Sequence, residues 1–205
     1  MEPGSKIIKP PAFTPTEARS ATGARRFVRI ERPFQMHRGG ALPRLDVAYE
    51  TWGELNADAS NAVLLFTGLS PSAHAASSPE DTSPGWWEEM VGLGRPIDTR
   101  HYFVICVNSL GSCFGSTGPA SVDPRTGEPY RLSFPVLTVE DIAAAGREVV
   151  RHLGISQLHT VIGPSLGGMT ALAFCVLFPE LSRGLVAISS AAREIGRASC
   201  RERVS

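Results

Sequence analysis

The run Gly163-Pro164-Ser165-Leu166-Gly167, followed at once by Gly168, constrains this chain more than any other stretch. It reads G-x-S-x-G, and its flanks match the setting that pattern requires. An apolar strand, Thr160-Val161-Ile162, leads in, and an apolar helical stretch over residues 166–178 leads out before Pro179 ends it. A sharp strand-to-helix turn forces its central residue into a sparsely populated backbone conformation, where neighbouring side chains would collide. Glycines at 163 and 167 remove those collisions. The serine is then presented at a helix N-terminus, where amide dipoles stabilise negative charge. Ser165 is thus a candidate nucleophile, with the Leu166 N–H able to point at a developing oxyanion. The alternative is a glycine-rich turn without chemistry. A phosphate-binding loop would need a lysine after the glycines, and none follows Gly167-Gly168.

The rest of the pattern predicts an α/β fold. Phe27-Val28-Arg29-Ile30 alternates, and Leu45-Asp46-Val47-Ala48-Tyr49 alternates again after a Gly39-Gly40 turn. Ala62-Val63-Leu64-Leu65-Phe66 and Tyr102-Phe103-Val104-Ile105-Cys106-Val107 are continuous apolar runs, which suit parallel strands covered on both faces. Residues 138–153 read as a helix: Thr138 can cap it, Glu140 and Asp141 suit its N-terminal end, and Gly154 stops it. A further strand is expected over residues 184–189. Strands alternating with helices imply a mostly parallel, doubly wound sheet, and the nucleophile elbow makes it an α/β-hydrolase fold. Residues 70–100 are more irregular, as loops around an active site often are. The second oxyanion donor should come from the loop after an earlier strand. The run ending Leu65-Phe66-Thr67-Gly68 is the candidate, with the Phe66 N–H preferred over a plain strand-ending turn.

A serine needs a base, normally a histidine oriented by a carboxylate, and in this fold the order is Ser, then Asp or Glu, then His. No histidine and no aspartate follows Ser165; all five histidines (His37, His74, His101, His152 and His159) precede it. His152 on a helix surface and His159 at a strand entry read as structural or solvated. His74 lies in a loop near the expected site, though using it would break the order. The triad Asp and His are therefore expected outside this chain, with the C-terminal part of the fold missing. Residues 1–25 read as a flexible leader, 26–192 as the N-terminal part of the hydrolase-fold domain, and 193–205, rich in Arg and Ser without apolar periodicity, as a non-native tail.

Lys+Arg and Asp+Glu balance at 20 each, so no net field draws the protein to nucleic acid or an anionic membrane, and small substrates are expected. The four cysteines lack zinc-site or disulfide-framework spacing; Cys106 and Cys175 sit in apolar runs and read as buried thiols. Without a signal core or a membrane-spanning run, the reading is a cytoplasmic protein with no metal.

Several stretches taken together resemble the homoserine O-acetyltransferase family of α/β-hydrolase enzymes, which includes serine O-acyltransferases. They are Ala48-Tyr49-Glu50-Thr51-Trp52-Gly53-Glu54-Leu55-Asn56, Gly85-Trp86-Trp87, Pro96-Ile97-Asp98-Thr99, Gly115-Ser116-Thr117-Gly118-Pro119-Ala120-Ser121, and the elbow with Gly167-Gly168-Met169. They are spread over residues 27–192. The resemblance implies that Ser165 carries an acyl group taken from acetyl-CoA or succinyl-CoA, a co-substrate rather than a bound cofactor. It implies L-serine or L-homoserine as acceptor, a role in cysteine or methionine biosynthesis, and a homodimer when complete. Phe66-Thr67-Gly68-Leu69-Ser70-Pro71 and Asn108-Ser109-Leu110-Gly111-Ser112-Cys113 look closer to the serine O-succinyltransferase branch, which favours serine and succinyl-CoA. Homoserine acetylation, a carboxyl-ester hydrolase on the same fold and a non-catalytic degenerate fragment are the other readings. The isolated chain, lacking its base, is expected to be inactive.

Overall fold

The computed structural model describes residues 23–192. Most of the expected leader, the expected tail and Cys200 lie outside the described residues. In chain order the elements are β1 (Arg26–Ile30), β2 (Phe34–Gln35), β3 (Ala41–Leu42), β4 (Leu45–Trp52), β5 (Ala62–Phe66), β6 (Val91–Gly92), β7 (Ile97–Asp98) and β8 (Phe103–Val107). Then follow α1 (Val139–His152), β9 (Thr160–Pro164), α2 (Leu166–Leu177) and β10 (Leu185–Ile188). The main sheet runs β1-β4-β8-β5-β9-β10. β8, β5, β9 and β10 are parallel neighbours, whereas β4 is antiparallel to both β1 and β8. The mostly parallel α/β sheet read from the sequence is thus what forms, with an antiparallel pair added at one side. The Gly39-Gly40 turn joins the small β2–β3 hairpin, and both glycines have positive φ.

Every residue of β5 is buried, because both faces of the sheet are covered. Period-2 alternation sorts its side chains. Leu64 and Phe66 join Ile105, Val107 and Val161 in a core that α1 and α2 close with Ile142, Val149, Ala171 and Phe174. Val63 and Leu65 face the other way, with Val104, Cys106 and Ile162, against Ala73, Ala75, Ala76, Val91 and Ile97. The irregular segment over residues 70–100 is therefore a layer of the fold as well as a loop.

α1 begins as the sequence predicts. The Asp141 carboxylate accepts hydrogen bonds from the Thr138 N–H (2.8 Å) and the Thr138 hydroxyl (2.9 Å), the reach-back half of a capping box. It also accepts the His37 N–H at 2.6 Å, which ties the β2–β3 hairpin to the helix. Gly154, at φ 71, follows the last turn, where a left-handed residue lets the chain leave the helix.

Candidate active site

Ser165 sits between the last residue of β9 and the first of α2, at φ 55 and ψ −122, a conformation that a side-chain-bearing residue seldom adopts. Its backbone is held on both sides. The Ser165 N–H donates to the Ile188 carbonyl of β10 (2.8 Å), and the Ser165 carbonyl accepts from the N–H groups of Gly168 (2.9 Å) and Met169 (3.2 Å). The serine itself is exposed. The glycines around it have no room for a side chain. A Cβ on Gly163 would run into the Gly167 carbonyl, and one on Gly167 would lie 2.7 Å from the Thr67 carbonyl oxygen and 2.9 Å from the Phe66 carbonyl carbon. A Cβ on Gly168 would meet the side chain of Ser190. Leu166 opens α2, so its N–H has no carbonyl one turn earlier in the helix to bond.

Phe66 ends β5, the strand beside β9. Its side chain is pinned on the helix side of the sheet: its ring packs on Phe174 (centroids 5.8 Å apart), and a Cβ at Gly146 would stand 2.6 Å from it. The Phe66-Thr67 backbone lies directly against Gly167, so the strand end abuts the elbow. Next to it, the Thr67 hydroxyl is 3.1 Å from that of Ser109, and the buried Asn108 donates through its amide to the Ser112 hydroxyl (2.6 Å). The Asn108 side-chain oxygen is buried without a hydrogen-bond partner. Hydroxyl and amide groups thus gather at the carboxyl ends of neighbouring parallel strands, where α/β sheets bind ligands. Sequence reading singled out this stretch by resemblance but missed the hydroxyl pair, because Thr67 and Ser109 lie 42 positions apart.

No histidine is brought to Ser165 by a hydrogen bond among the described residues. His101, His152 and His159 are exposed, and His159 bonds Thr160 (2.8 Å) and packs on Tyr102. His37 is 4.0 Å from Glu140. His74 is occupied at both ring nitrogens: Nδ1 lies 2.8 Å from a Glu50 carboxylate oxygen and Nε2 lies 2.8 Å from the Ser83 carbonyl. Burial pushes its pKa down, but the Ser83 carbonyl and the Glu50 carboxylate outweigh burial and hold it above the ordinary histidine value. Glu50, 1% exposed, was not singled out as a site residue; a carboxylate between the apolar Tyr49 and Trp52 of a strand is the signal that finds it. Burial, with Glu50 adding, drives the Cys106 thiol well up, and burial raises Cys175 against an opposing hydrogen bond from Ser182. Cys113 is exposed. Among the described residues no cluster of His, Cys, Asp and Glu could hold a metal ion, and no helix is long and apolar enough to cross a membrane.

Residues 61–199 match the family model of the alpha/beta hydrolase fold. The chain is 63% identical over 169 residues to serine O-succinyltransferase of Litchfieldella anticariensis, covering 82% of this chain and 46% of that protein. It is 62% identical over 168 residues to L-serine/homoserine O-acetyltransferase of Streptomyces lavendulae, covering 82% and 45%. Among solved structures, homoserine O-acetyltransferase from Bacillus anthracis superposes with a TM-score of 0.76 at 33% identity, over 83% of this chain and 48% of that one. The chain spans less than half the length of these curated relatives.

Proposed function

Because this chain belongs to the α/β-hydrolase family, we propose that its parent protein is an acyl-CoA-dependent O-acyltransferase acting on the hydroxyl of L-serine or L-homoserine. The observation that carries this reading is an exposed serine at φ 55 in a glycine-cleared elbow, in a chain 62–63% identical to amino-acid O-acyltransferases. Residues 26–192 are the N-terminal part of the catalytic domain, and the orienting Asp and the His base come from elsewhere in the parent protein, which acts as a homodimer in the cytoplasm.

The reaction runs in two steps. Ser165 Oγ attacks the thioester carbonyl of succinyl- or acetyl-CoA while the base takes its proton. The tetrahedral oxyanion is met by the N–H groups of Leu166 and Phe66, CoA leaves as the protonated thiol, and acyl-Ser165 remains. The amino-acid hydroxyl then gives its proton to the base, attacks the acyl carbonyl and restores Ser165. Losing one oxyanion donor would lower the rate roughly 10²–10³-fold. The loops at residues 66–71 and 108–113 favour serine and succinyl-CoA over homoserine and acetyl-CoA.

The test is a matrix of succinyl- and acetyl-CoA against serine and homoserine, run on the full-length protein and its Ser165→Ala variant. CoA release that requires an amino acid, one acyl group added to Ser165, and loss of both in the variant are expected. Near-normal turnover by the variant would overturn the mechanism. CoA release or simple-ester hydrolysis at the same rate without an amino acid would make the protein a hydrolase instead.

A further inference from the structure

Arg25 and Glu50 meet His74 and Asp81 of the segment over residues 70–100, the four side chains (Arg25, Glu50, His74, Asp81) being 12%, 1%, 11% and 11% exposed. We infer that this cluster is a protonation-dependent latch, in which His74, held as an imidazolium between Glu50, Asp81 and the Ser83 carbonyl, fastens that segment to β4. The inference does not rest on the proposed acyl transfer.

Both of the close partners of His74 are acceptors. An ionised carboxylate and a backbone carbonyl each lack a proton to give, so the two 2.8 Å contacts both need an N–H on the ring. A neutral imidazole has one. Charge points the same way: the Glu50 and Asp81 carboxylates, 2.8 and 3.8 Å from Nδ1, both favour the charged ring. Arg25 alone is a weak substitute, because its Nε stands 3.6 Å from the Glu50 carboxylate and neither of those two atoms is hydrogen-bonded. Two further groups among the described residues face the cluster without supplying positive charge. Cys106 pairs with Glu50 across β4 and β8, and its buried thiol stays neutral. Glu88, which accepts from Ser77 and Gly85 in the same segment, adds negative charge near His74. The Ser83 hydroxyl lies 3.3 Å from Nε2 and donates to Asp81.

The latch adds a charged fastening to a segment that also packs Val91 and Ile97 on the sheet. Ala73, Ala75 and Ala76 pack on it, the Trp52 indole N–H donates to the Ala76 carbonyl (3.1 Å), and the Trp86 indole N–H bonds within the segment to Ser72 (3.0 Å). The segment starts just after Gly68, where the chain leaves the strand end that abuts the elbow. Raising the folded pKa of a histidine gives stabilisation that is complete below its unfolded value, about 6.5, and is lost as pH rises through the folded value. The segment therefore loosens on the alkaline side.

Long-range proton–nitrogen spectra of the histidine-labelled full-length protein, followed with pH, read His74 directly, and amide exchange corrected for its intrinsic pH dependence reads the segment. Both ring nitrogens protonated at about pH 6.5, a midpoint above that value, and protection of the amides of Ala75 and Trp87 falling on the order of tenfold through the midpoint are expected. Glu50→Gln should lower the midpoint, and His74→Gln should make the protection independent of pH. A His74 with one bare nitrogen at about pH 6, as a protonated Glu50 would give, overturns the inference. So does protection in the unmodified protein that stays level through the midpoint. These two readings need no variant, so a His74→Gln protein that fails to fold leaves the decision intact.

Discussion

At Ser165 a single residue holds backbone strain. A non-glycine residue at φ 55 and ψ −122 costs about 1–3 kcal/mol, and the bonds from Ile188, Gly168 and Met169 keep it there. Ser165→Gly should therefore raise the unfolding free energy by about 1 kcal/mol relative to Ser165→Ala, although both lack the nucleophile. Urea midpoints at constant slope check this, and equal midpoints would show an unstrained turn. Gly167→Ala should move them the other way, by about 2 kcal/mol, since its Cβ has only backbone to push against. The two elbow glycines were legible in the sequence because their spacing from Ser165 fixes a local geometry. The partners of His74 were not, because Glu50 and Ser83 reach it from 24 and 9 residues away, and no periodicity records such a meeting.

Among the elements, α1 and β5 show what a pattern carries and what it leaves out. The helix was legible end to end: Thr138, Asp141 and Gly154 mark its limits, and its apolar spacing gives the face that meets β5. The continuous run of β5 announced a strand covered on both sides, but not by what. A helix covers Leu64 and Phe66, while Val63 and Leu65 are covered by a segment whose packing relies on small alanines and on Gly85 pressed against Ala75 and Ala76. That segment has no repeat for a sequence reading to find. The weight placed on Asp141 can be measured. It is 2% exposed and accepts three hydrogen bonds, two from Thr138 and one from His37. Asp141→Ala leaves those donors without it and uncouples the β2–β3 hairpin from the helix, so a loss on the order of 2 kcal/mol is expected. A urea midpoint within error of the parent chain would mean the hairpin and helix are joined by apolar contact alone.

At the scale of the molecule the elbow stands, among the described residues, next to a sheet edge. β10 is the last strand in the sheet order, all but one of its residues are exposed, and its Ile188 carbonyl holds the Ser165 N–H. α2, which packs on β10, has one polar side chain, the buried Thr170, and is otherwise apolar, yet Val176 is 78% exposed; on the strand, Val186 is 44% exposed. A helix apolar on all sides is stable in water only when it is covered, and an open strand edge invites pairing. In relatives of which this chain covers less than half, further chain is available to cover this side. We expect the 205-residue chain alone to bind a hydrophobic dye and to sediment as a mixture of sizes. The double substitution Val176→Lys and Val186→Lys should lower both signals here, because charge is tolerated on an open face. In the full-length protein the same pair should destabilise the fold by several kcal/mol, because each lysine would then be buried without a partner. If the full-length protein tolerates both lysines, that face is solvent in the parent as well, and the support of Ser165 ends at β10.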